Sequence, residues 1–94
     1  MPVWLEIAFN LPVYQTFTYR AIEGEQTSFV GKRAEVAFGS RRIAGFIIGE
    51  RDALPADFPL APSEIKTVIR MIDSEPIFGE EEVSLARWIA SFYL

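Results

Sequence analysis

A few side chains of this sequence have the types that bind single-stranded nucleic acid. Phe17 can stack on a base, Lys66 can neutralise a phosphate, and Gly39 lets a ligand approach the backbone closely. Stacking of this kind contributes about 1 to 3 kcal/mol per base. Hydroxyl and basic side chains accompany them, namely Thr16, Thr18, Ser40, Arg41 and Arg42. The set indicates a binding site for a ligand that carries both bases and phosphates.

Each of these residues also has a structural interpretation that the pattern alone leaves open. Phe17 and Tyr19 would fill a core, and Gly39 would serve only as a turn residue with positive φ. Lys66 would form an exposed ion pair of little net stability. The two arginines that follow the glycine would be part of a solvated turn. The residue types therefore favour a binding module over an enzyme and go no further.

The chain lacks the residues of the commonest catalytic and metal sites. It contains neither Cys nor His, which removes thiolate nucleophiles, disulfides, cysteine zinc sites and the commonest general base. Its six glycines match neither GxGxxG nor GxxxxGK[ST], so the sequence has no phosphate-binding loop of either kind. We expect no catalytic residue, no metal and no cofactor in this chain.

The length and charge of the chain limit its domain number and its possible partners. The 94 residues, half of them hydrophobic, indicate one small domain with a single core. No uncharged apolar run approaches the roughly 18 residues of a membrane-spanning helix, and no basic leader follows Met1, so we expect a cytoplasmic protein. The net charge of −4 comes entirely from residues 51–94, and four of the five basic residues of the first half lie between positions 32 and 42. A local positive surface is therefore compatible with the acidic chain.

The hydrophobic pattern predicts several strands in the first half of the chain. Residues 3–11 alternate in polarity, and residues 16–20 are β-branched or aromatic, which is typical of strands. Within the region 19–49, two apolar runs around the connection at Gly39 to Arg42 predict a β-hairpin. Gly45 lies inside the return strand, which indicates a bulge or a close backbone approach.

The second half of the chain predicts a loop, a strand and a helix. Residues 51–63 contain three prolines and predict a loop, and residues 64–73 alternate with β-branched side chains and predict a long strand. Residues 80–94 begin with three glutamates, which suit the positive end of a helix, and continue with apolar residues at helical spacing. This helix ends on uncapped aromatic residues, which indicates an N-terminal fragment of a larger protein.

At these same residues the chain resembles the N-terminal domain of the bacterial replication restart helicases, the primosomal protein N′ (PriA) family. The resemblance rests on four stretches in the same order and spacing, LPVYQTFTYR, GKRAEVAFGSRRIAGFIIG, EIKTVIRMIDSEPIF and LARWIASFY. They cover nearly the whole chain. The combination of T-F-x-Y, V-x-F-G-x-R-x-x-G and K-x-V-x-x-x-x-D-S-E-P is specific, although each motif alone is weak.

The resemblance implies a pocket for the terminal nucleotide of a DNA strand. By motif, it would be lined by Phe17, Thr18, Gly39 and Lys66, with candidate phosphate contacts from Ser40, Arg41 and Arg42. Phe17 would pack on the base, Gly39 would allow close backbone approach, and Lys66 would meet base or phosphate. Thr18 stands where many members have Asp, so the contact to the free 3′-hydroxyl would come from its hydroxyl or from another group.

The resemblance also implies the properties of a longer parent protein. The parent would be an ATP-dependent 3′-to-5′ DNA helicase that uses ATP, Mg and Zn, and the motifs for these cofactors are not in this chain. Its partners would be a fork or D-loop with a free 3′ end, the downstream helicase domains, primosome proteins and single-stranded DNA-binding protein. No membrane is implied.

We therefore expect an α+β fold, in which a small, curved, mainly antiparallel β-sheet forms a partial barrel and is closed by the C-terminal helix. Residues 1–94 would be a single N-terminal domain that binds the 3′ end of the leading strand at stalled or branched forks. The alternative is a protein-interaction module, in which the aromatic helix docks onto other helicase or primosome domains. The salt dependence of the binding affinity distinguishes the two functions. Phosphate contacts release counterions, so DNA affinity falls steeply as salt rises, whereas the affinity of an apolar docking face changes little.

Overall fold

The structure, a computed structural model, describes residues 2–9, 16–24, 28–77, 79, 81, 82 and 84. Its strands are β1 (Trp4–Ala8), β2 (Thr16–Arg20), β3 (Arg33–Phe38), β4 (Arg41–Arg51) and β5 (Arg70–Met71). They form one antiparallel sheet in the order β2-β1-β4-β3-β5. A short 3₁₀-helix, Pro62–Glu64, precedes β5. The prediction of a small, mainly antiparallel, curved sheet is confirmed.

One face of the sheet carries the hydrophobic core. Leu5 and Ile7 of β1, Val36 of β3 and Ile47 of β4 are completely buried, and Tyr19 of β2 packs with them. Leu5 and Ile7 in β1 and Tyr19 in β2 lie on the face that the sequence pattern assigns to the core, because successive side chains of a strand point to opposite faces. In β4 the alternation is interrupted, since Ile47, Ile48 and Gly49 are buried in succession.

Gly45 lies at the crowded centre of this core. It pairs across the sheet with Ala34, and the side chains of Ile7 and Phe9 occupy the space above it. A Cβ atom at position 45 would lie 2.7 Å from Phe9 Cε1 and closer still to Ile7 Cγ2. The predicted close approach is confirmed. The bulge lies elsewhere, at Ile48, where the register between β1 and β4 shifts.

Strands β3 and β4 form the predicted hairpin, with a two-residue loop. Phe38 pairs with Arg41, so Gly39 and Ser40 alone make the turn. Gly39 has a φ of +62°, and a positive φ at the first central position is typical of the type II′ turns that suit hairpin twist. Arg41 and Arg42 were predicted to lie in the connection, but they begin β4.

The predicted long strand over residues 64–73 is wrong. It starts within the 3₁₀-helix, and only Arg70–Met71 pairs as a strand. Its buried residues are Ile65 and Val68, which are three positions apart and therefore do not share the alternating face of a strand. A continuous strand needs a single neighbouring strand along its length, and this segment does not have one.

Residues 66–72 instead span the open side of the sheet. The N–H of Arg20 in β2 donates to the Lys66 carbonyl, and the N–H of Val68 donates to the Arg20 carbonyl, both at 2.9 Å. From Ile69 onward the segment bonds to β3, since the Ile69 N–H donates to the Glu35 carbonyl at 2.8 Å. The fold is therefore a partial barrel whose two edges are linked by this segment and not closed by a continuous ladder.

The end of this segment is fastened to β3 by Asp73. Its carboxylate accepts hydrogen bonds from the Arg33 backbone N–H at 2.9 Å, from Nε at 3.0 Å and from Nη2 at 2.9 Å. The hydrogen bond between the two side chains lowers the pKa of Asp73 and raises the pKa of Arg33. Four residues later, the Ile77 N–H donates to the Gly31 carbonyl at 2.8 Å. The path of the segment is thus set at both ends.

The predicted C-terminal helix over residues 80–94 is not supported as the element that closes the sheet. Glu81, Glu82 and Ser84 are helical, but residues 83 and 85–94 lie outside the described residues. Within the part of the chain that the structure describes, the element that bridges the sheet edges is the segment 66–72. In that same part, no helix has the length and apolar character needed to cross a membrane.

Candidate nucleic-acid interface

A cavity of about 410 Å³ lies beside β2, at the edge that does not pair with β1. Its volume falls in the range of small-ligand sites, about 300 to 1,000 Å³. Phe17, Thr18, Gly39 and Lys66, which the motifs selected, line it together. These four residues come from β2, from the β3–β4 turn and from the segment before β5. The fold therefore brings together residues that are far apart in the sequence.

The backbone of β2 also faces this cavity. Arg20 uses its N–H and C=O groups to bond the segment 66–72, on the side away from β1. The direction of backbone bonding alternates along an antiparallel strand, and the register between β1 and β2 is unbroken. Thr16 and Thr18 therefore direct their N–H and C=O groups to the same side as Arg20. This edge offers amide donors and carbonyl acceptors to a ligand.

Phe17 is both part of the core and part of the cavity wall. Its ring centroid lies 5.5 Å from that of Phe9 and 5.1 Å from that of Phe38, and the latter two lie 5.2 Å apart. Tilted and edge-to-face contacts of this kind favour one orientation of each ring. The core interpretation and the binding interpretation of Phe17 are thus compatible, because the packed ring presents an apolar surface in a fixed position.

Gly39 lies at the mouth of the cavity. A Cβ atom there would have no heavy atom within 4 Å, so the positive φ, and not crowding within the protein, explains why the turn has glycine. The structural interpretation of Gly39 as a turn residue is correct. The open space around it leaves the turn accessible to a ligand from outside.

Lys66 is exposed and is one of the residues that line the cavity. Among the described residues it forms no ion pair, because Glu35 pairs with Arg70, at 3.3 Å from Oε1 to Nε. Glu64 also lines the cavity. The structural interpretation of Lys66, an exposed ion pair with Glu64 or Glu35, is not supported among the described residues.

The three residues predicted to contact phosphates lie outside the cavity. Ser40, Arg41 and Arg42 are exposed, and they follow Gly39 directly around the hairpin tip. Successive side chains of β4 point to opposite faces, so the two arginines do not share one side of the hairpin. In the described part of the chain neither arginine has an ion-pair partner.

Sequence reasoning missed several residues that shape the cavity. Phe58 and Leu60, from the proline-rich loop, form part of its wall, and their apolar character within a loop was the signal available. Tyr19 also lines it, and its phenol donates a hydrogen bond to the Ala37 carbonyl at 2.8 Å. Burial raises the pKa of Tyr19, so the phenol keeps the proton that makes this bond.

A second cavity of about 250 Å³ adjoins the first. The two share Thr16, Thr18 and Phe58 in their walls. The second cavity adds Glu6, which lies directly opposite Thr18 in the register of β1 and β2, and Arg51 of β4. Trp4, on the outer face of β1, is only 4% exposed. The guanidinium carbon of Arg20 lies 5.4 Å from the centroid of the Trp4 ring, so the Arg20 side chain covers part of this outward-facing tryptophan.

The chain is similar to known proteins. A family model for the PriA 3′DNA-binding domain (3′BD) matches residues 6–94. The chain belongs to this family. It is also similar to the replication restart protein PriA of Treponema pallidum (strain Nichols), with 41% identity over 95 residues that cover all of this chain. The chain spans 14% of the length of that relative. The resemblance to the PriA family that the sequence motifs indicated is confirmed.

Proposed function

We propose that this PriA 3′DNA-binding domain binds the 3′ end of the leading strand at stalled or branched replication forks, with the terminal nucleotide in the 410 Å³ cavity. One observation carries the proposal. Phe17, Thr18, Gly39 and Lys66 were selected by motif from three separate parts of the sequence, and all four line one cavity. Strand β2, the β3–β4 turn and the segment before β5 thus each contribute a motif residue to the same cavity wall.

Each part of the cavity supplies a contact that a terminal nucleotide needs. The Phe17 ring supplies an apolar surface for the base, and the Lys66 ammonium attracts a phosphate. The outward N–H and C=O groups of Thr16 and Thr18 suit the polar edges of a base or sugar. None of these contacts distinguishes one base from another by a bidentate pattern, so the domain recognises the end of a strand more than its sequence.

The hairpin tip extends this site toward the rest of the strand. Ser40 and Arg41 follow Gly39 at the cavity mouth, and Arg42 lies one position further along β4. A strand that leaves the cavity past Gly39 would carry its next phosphates over this basic tip. Concentrated positive charge at the tip explains how a chain with a net charge of −4 binds an anionic ligand.

We further propose that residues 1–94 are the N-terminal fork-recognition domain of a longer, cytoplasmic, ATP-dependent restart helicase. The match to 14% of the relative's length supports this. ATP, Mg and Zn would belong to the rest of the parent, as the family resemblance implies. The downstream helicase domains, primosome proteins and single-stranded DNA-binding protein would be the parent's partners.

The proposal is tested by fluorescence anisotropy with forks whose leading strand ends in a 3′-hydroxyl or a 3′-phosphate. We expect tighter binding of the 3′-hydroxyl end. We expect Lys66→Ala to weaken binding and to reduce the slope of log K against log salt by about 1. Arg70→Ala is the matched control, because Arg70 is an exposed cation outside both cavities.

Two results would overturn the assignment of the cavity. One is equal affinity for the two chemical ends, and the other is Lys66→Ala binding as tightly as the wild type. The alternative function, a module that docks onto helicase or primosome domains through its C-terminal helix, depends on residues outside the described part of the chain. It predicts binding of a protein partner with little salt dependence, and no loss of that binding in Lys66→Ala.

A further inference from the structure

We propose that Glu6 is the residue that recognises the hydroxyl group at the end of the strand. This inference rests on the proposed function and deepens it, because it assigns the selectivity for a free 3′-hydroxyl to one carboxylate. None of the sequence motifs selected Glu6. Only the strand register places it beside the proposed nucleotide cavity.

The position of Glu6 is set by its two neighbouring strands. It lies opposite Thr18 of β2 on one side and Gly49 of β4 on the other. Directly opposite residues of an antiparallel pair point to the same face, with Cβ atoms about 4.5 to 5.5 Å apart. Thr18 lines both cavities. A sugar that lies over Thr18 is therefore within reach of the Glu6 side chain.

The contacts of the Glu6 carboxylate orient it within the second cavity. Oε1 accepts a hydrogen bond from the Thr16 hydroxyl at 3.2 Å, and Oε2 lies 3.7 Å from Arg51 Nη2. The glutamate side chain is 20% exposed and the arginine side chain is 51% exposed. Glu6 lies in the wall of the second cavity, and an ionised carboxylate at this position acts as a hydrogen-bond acceptor toward a ligand.

The chemistry of a carboxylate explains selectivity for a hydroxyl end. An ionised carboxylate only accepts hydrogen bonds, so it binds a group that donates one, and bonds between a hydroxyl and a carboxylate are among the strong ones. A terminal phosphate offers acceptors and negative charge, which a carboxylate repels. The adjacent Thr16 hydroxyl, which donates to Glu6, can accept a hydrogen bond from the sugar, and the Thr18 hydroxyl can donate or accept one. Glu6 thus favours a strand with a free hydroxyl at its end.

The test compares Glu6→Gln with the wild-type 94-residue chain on oligonucleotides that end in a 3′-hydroxyl, a 3′-deoxy position or a 3′-phosphate. We expect the wild type to prefer the hydroxyl over the deoxy end and Glu6→Gln to reduce this preference by about tenfold. We expect the variant to bind the phosphate end more tightly than the wild type does. Glu35→Gln is the matched control, because Glu35 also pairs with an arginine but lines neither cavity.

A ligand-side comparison tests the same inference without any substitution. A 3′-fluoro end resembles a hydroxyl in size but donates no hydrogen bond, so the wild type should bind it as weakly as the deoxy end. The inference is overturned if the 3′-fluoro end binds as tightly as the hydroxyl end, or if Glu6→Gln keeps the wild-type preference. Where Lys66→Ala still weakens binding in that case, the proposed function stands and only the assignment to Glu6 fails.

Discussion

The phenol oxygen of Tyr19 lies 2.8 Å from the carbonyl oxygen of Ala37, and this hydrogen bond joins β2 to β3 across the concave side of the sheet. The two strands are separated by β1 and β4 in the sheet. The bond therefore crosses the space between two strands that are not neighbours and is not part of the backbone hydrogen bonding between adjacent strands. Both residues line the cavity of about 410 Å³. The bond therefore sets the separation between the β2 wall of the cavity and the turn at Gly39.

Removing this bond should loosen the cavity. Tyr19→Phe keeps the buried ring but leaves the Ala37 carbonyl without its phenol donor, and we expect the free energy of unfolding to fall by about 0.5 to 1.5 kcal/mol. Urea denaturation followed by circular dichroism measures the change. We also expect weaker binding of a 3′-hydroxyl end. An unchanged denaturation midpoint would show that the bond contributes nothing to the stability of the fold.

A side chain at position 45 should lower the free energy of unfolding, although glycine inside a strand usually destabilises the strand. In Gly45→Ala, the new methyl group would collide with Ile7 and Phe9, and overpacking of this kind costs about 1 to 3 kcal/mol. Gly79→Ala is the control, because its Cβ would lie at an ordinary 3.4 Å from Glu82 Oε2. Thermal unfolding of both variants separates the two cases. Equal unfolding midpoints for the two variants would show that the space around Gly45 is not too crowded for a methyl group.

Acid should weaken the link between Asp73 and Arg33. The pKa of Asp73 is lowered by its hydrogen bond to Arg33, so its contribution to stability is present above the unfolded-state pKa of about 4. It is lost as the pH falls through the lower folded-state value. Asp73→Asn should therefore lose less stability below about pH 4 than the wild type does. Urea midpoints measured from pH 6 downward check this.

A second aspartate provides the control for the acid experiment. Asp57 is exposed in the loop after β4 and forms no ion pair among the described residues. Asp57→Asn should keep the wild-type dependence of stability on pH. A wild-type profile in Asp73→Asn would show that the three hydrogen bonds from Arg33 do not couple protonation to folding.

Loss of the Phe17 ring should weaken binding by more than it weakens folding. Phe17→Leu keeps an apolar side chain against Phe9 and Phe38 but removes the flat surface for a base, which is worth about 1 to 3 kcal/mol of binding free energy. Phe46→Leu is the control, because Phe46 is an exposed aromatic residue that lines neither cavity. Anisotropy titrations with a 3′-hydroxyl oligonucleotide compare them. Equal affinities would mean that no base stacks on Phe17.

The sequence by itself determined the local elements and the family. Alternating polarity identified β1, because a strand with one buried face must alternate, whereas β-branched and aromatic residues identified β2 and two apolar runs around Gly39 identified the hairpin. Two glycines were also informative. Gly39 adopts a positive φ, which side chains disfavour, and Gly45 lies where a Cβ atom would collide with Ile7 and Phe9. The motifs around Phe17, Gly39 and Lys66 then indicated the PriA family, which the match over residues 6–94 confirmed.

Only the tertiary structure decided how residues distant in sequence meet. The segment 64–73 has strand-like residues, yet its backbone bonds pass from β2 to β3, and a local pattern cannot specify which neighbours will be available. The same holds for Glu6, since its position opposite Thr18 depends on the register of two strands. Residue types determine local conformation and burial, whereas the packing of separate segments determines the cavities and which side chains share them.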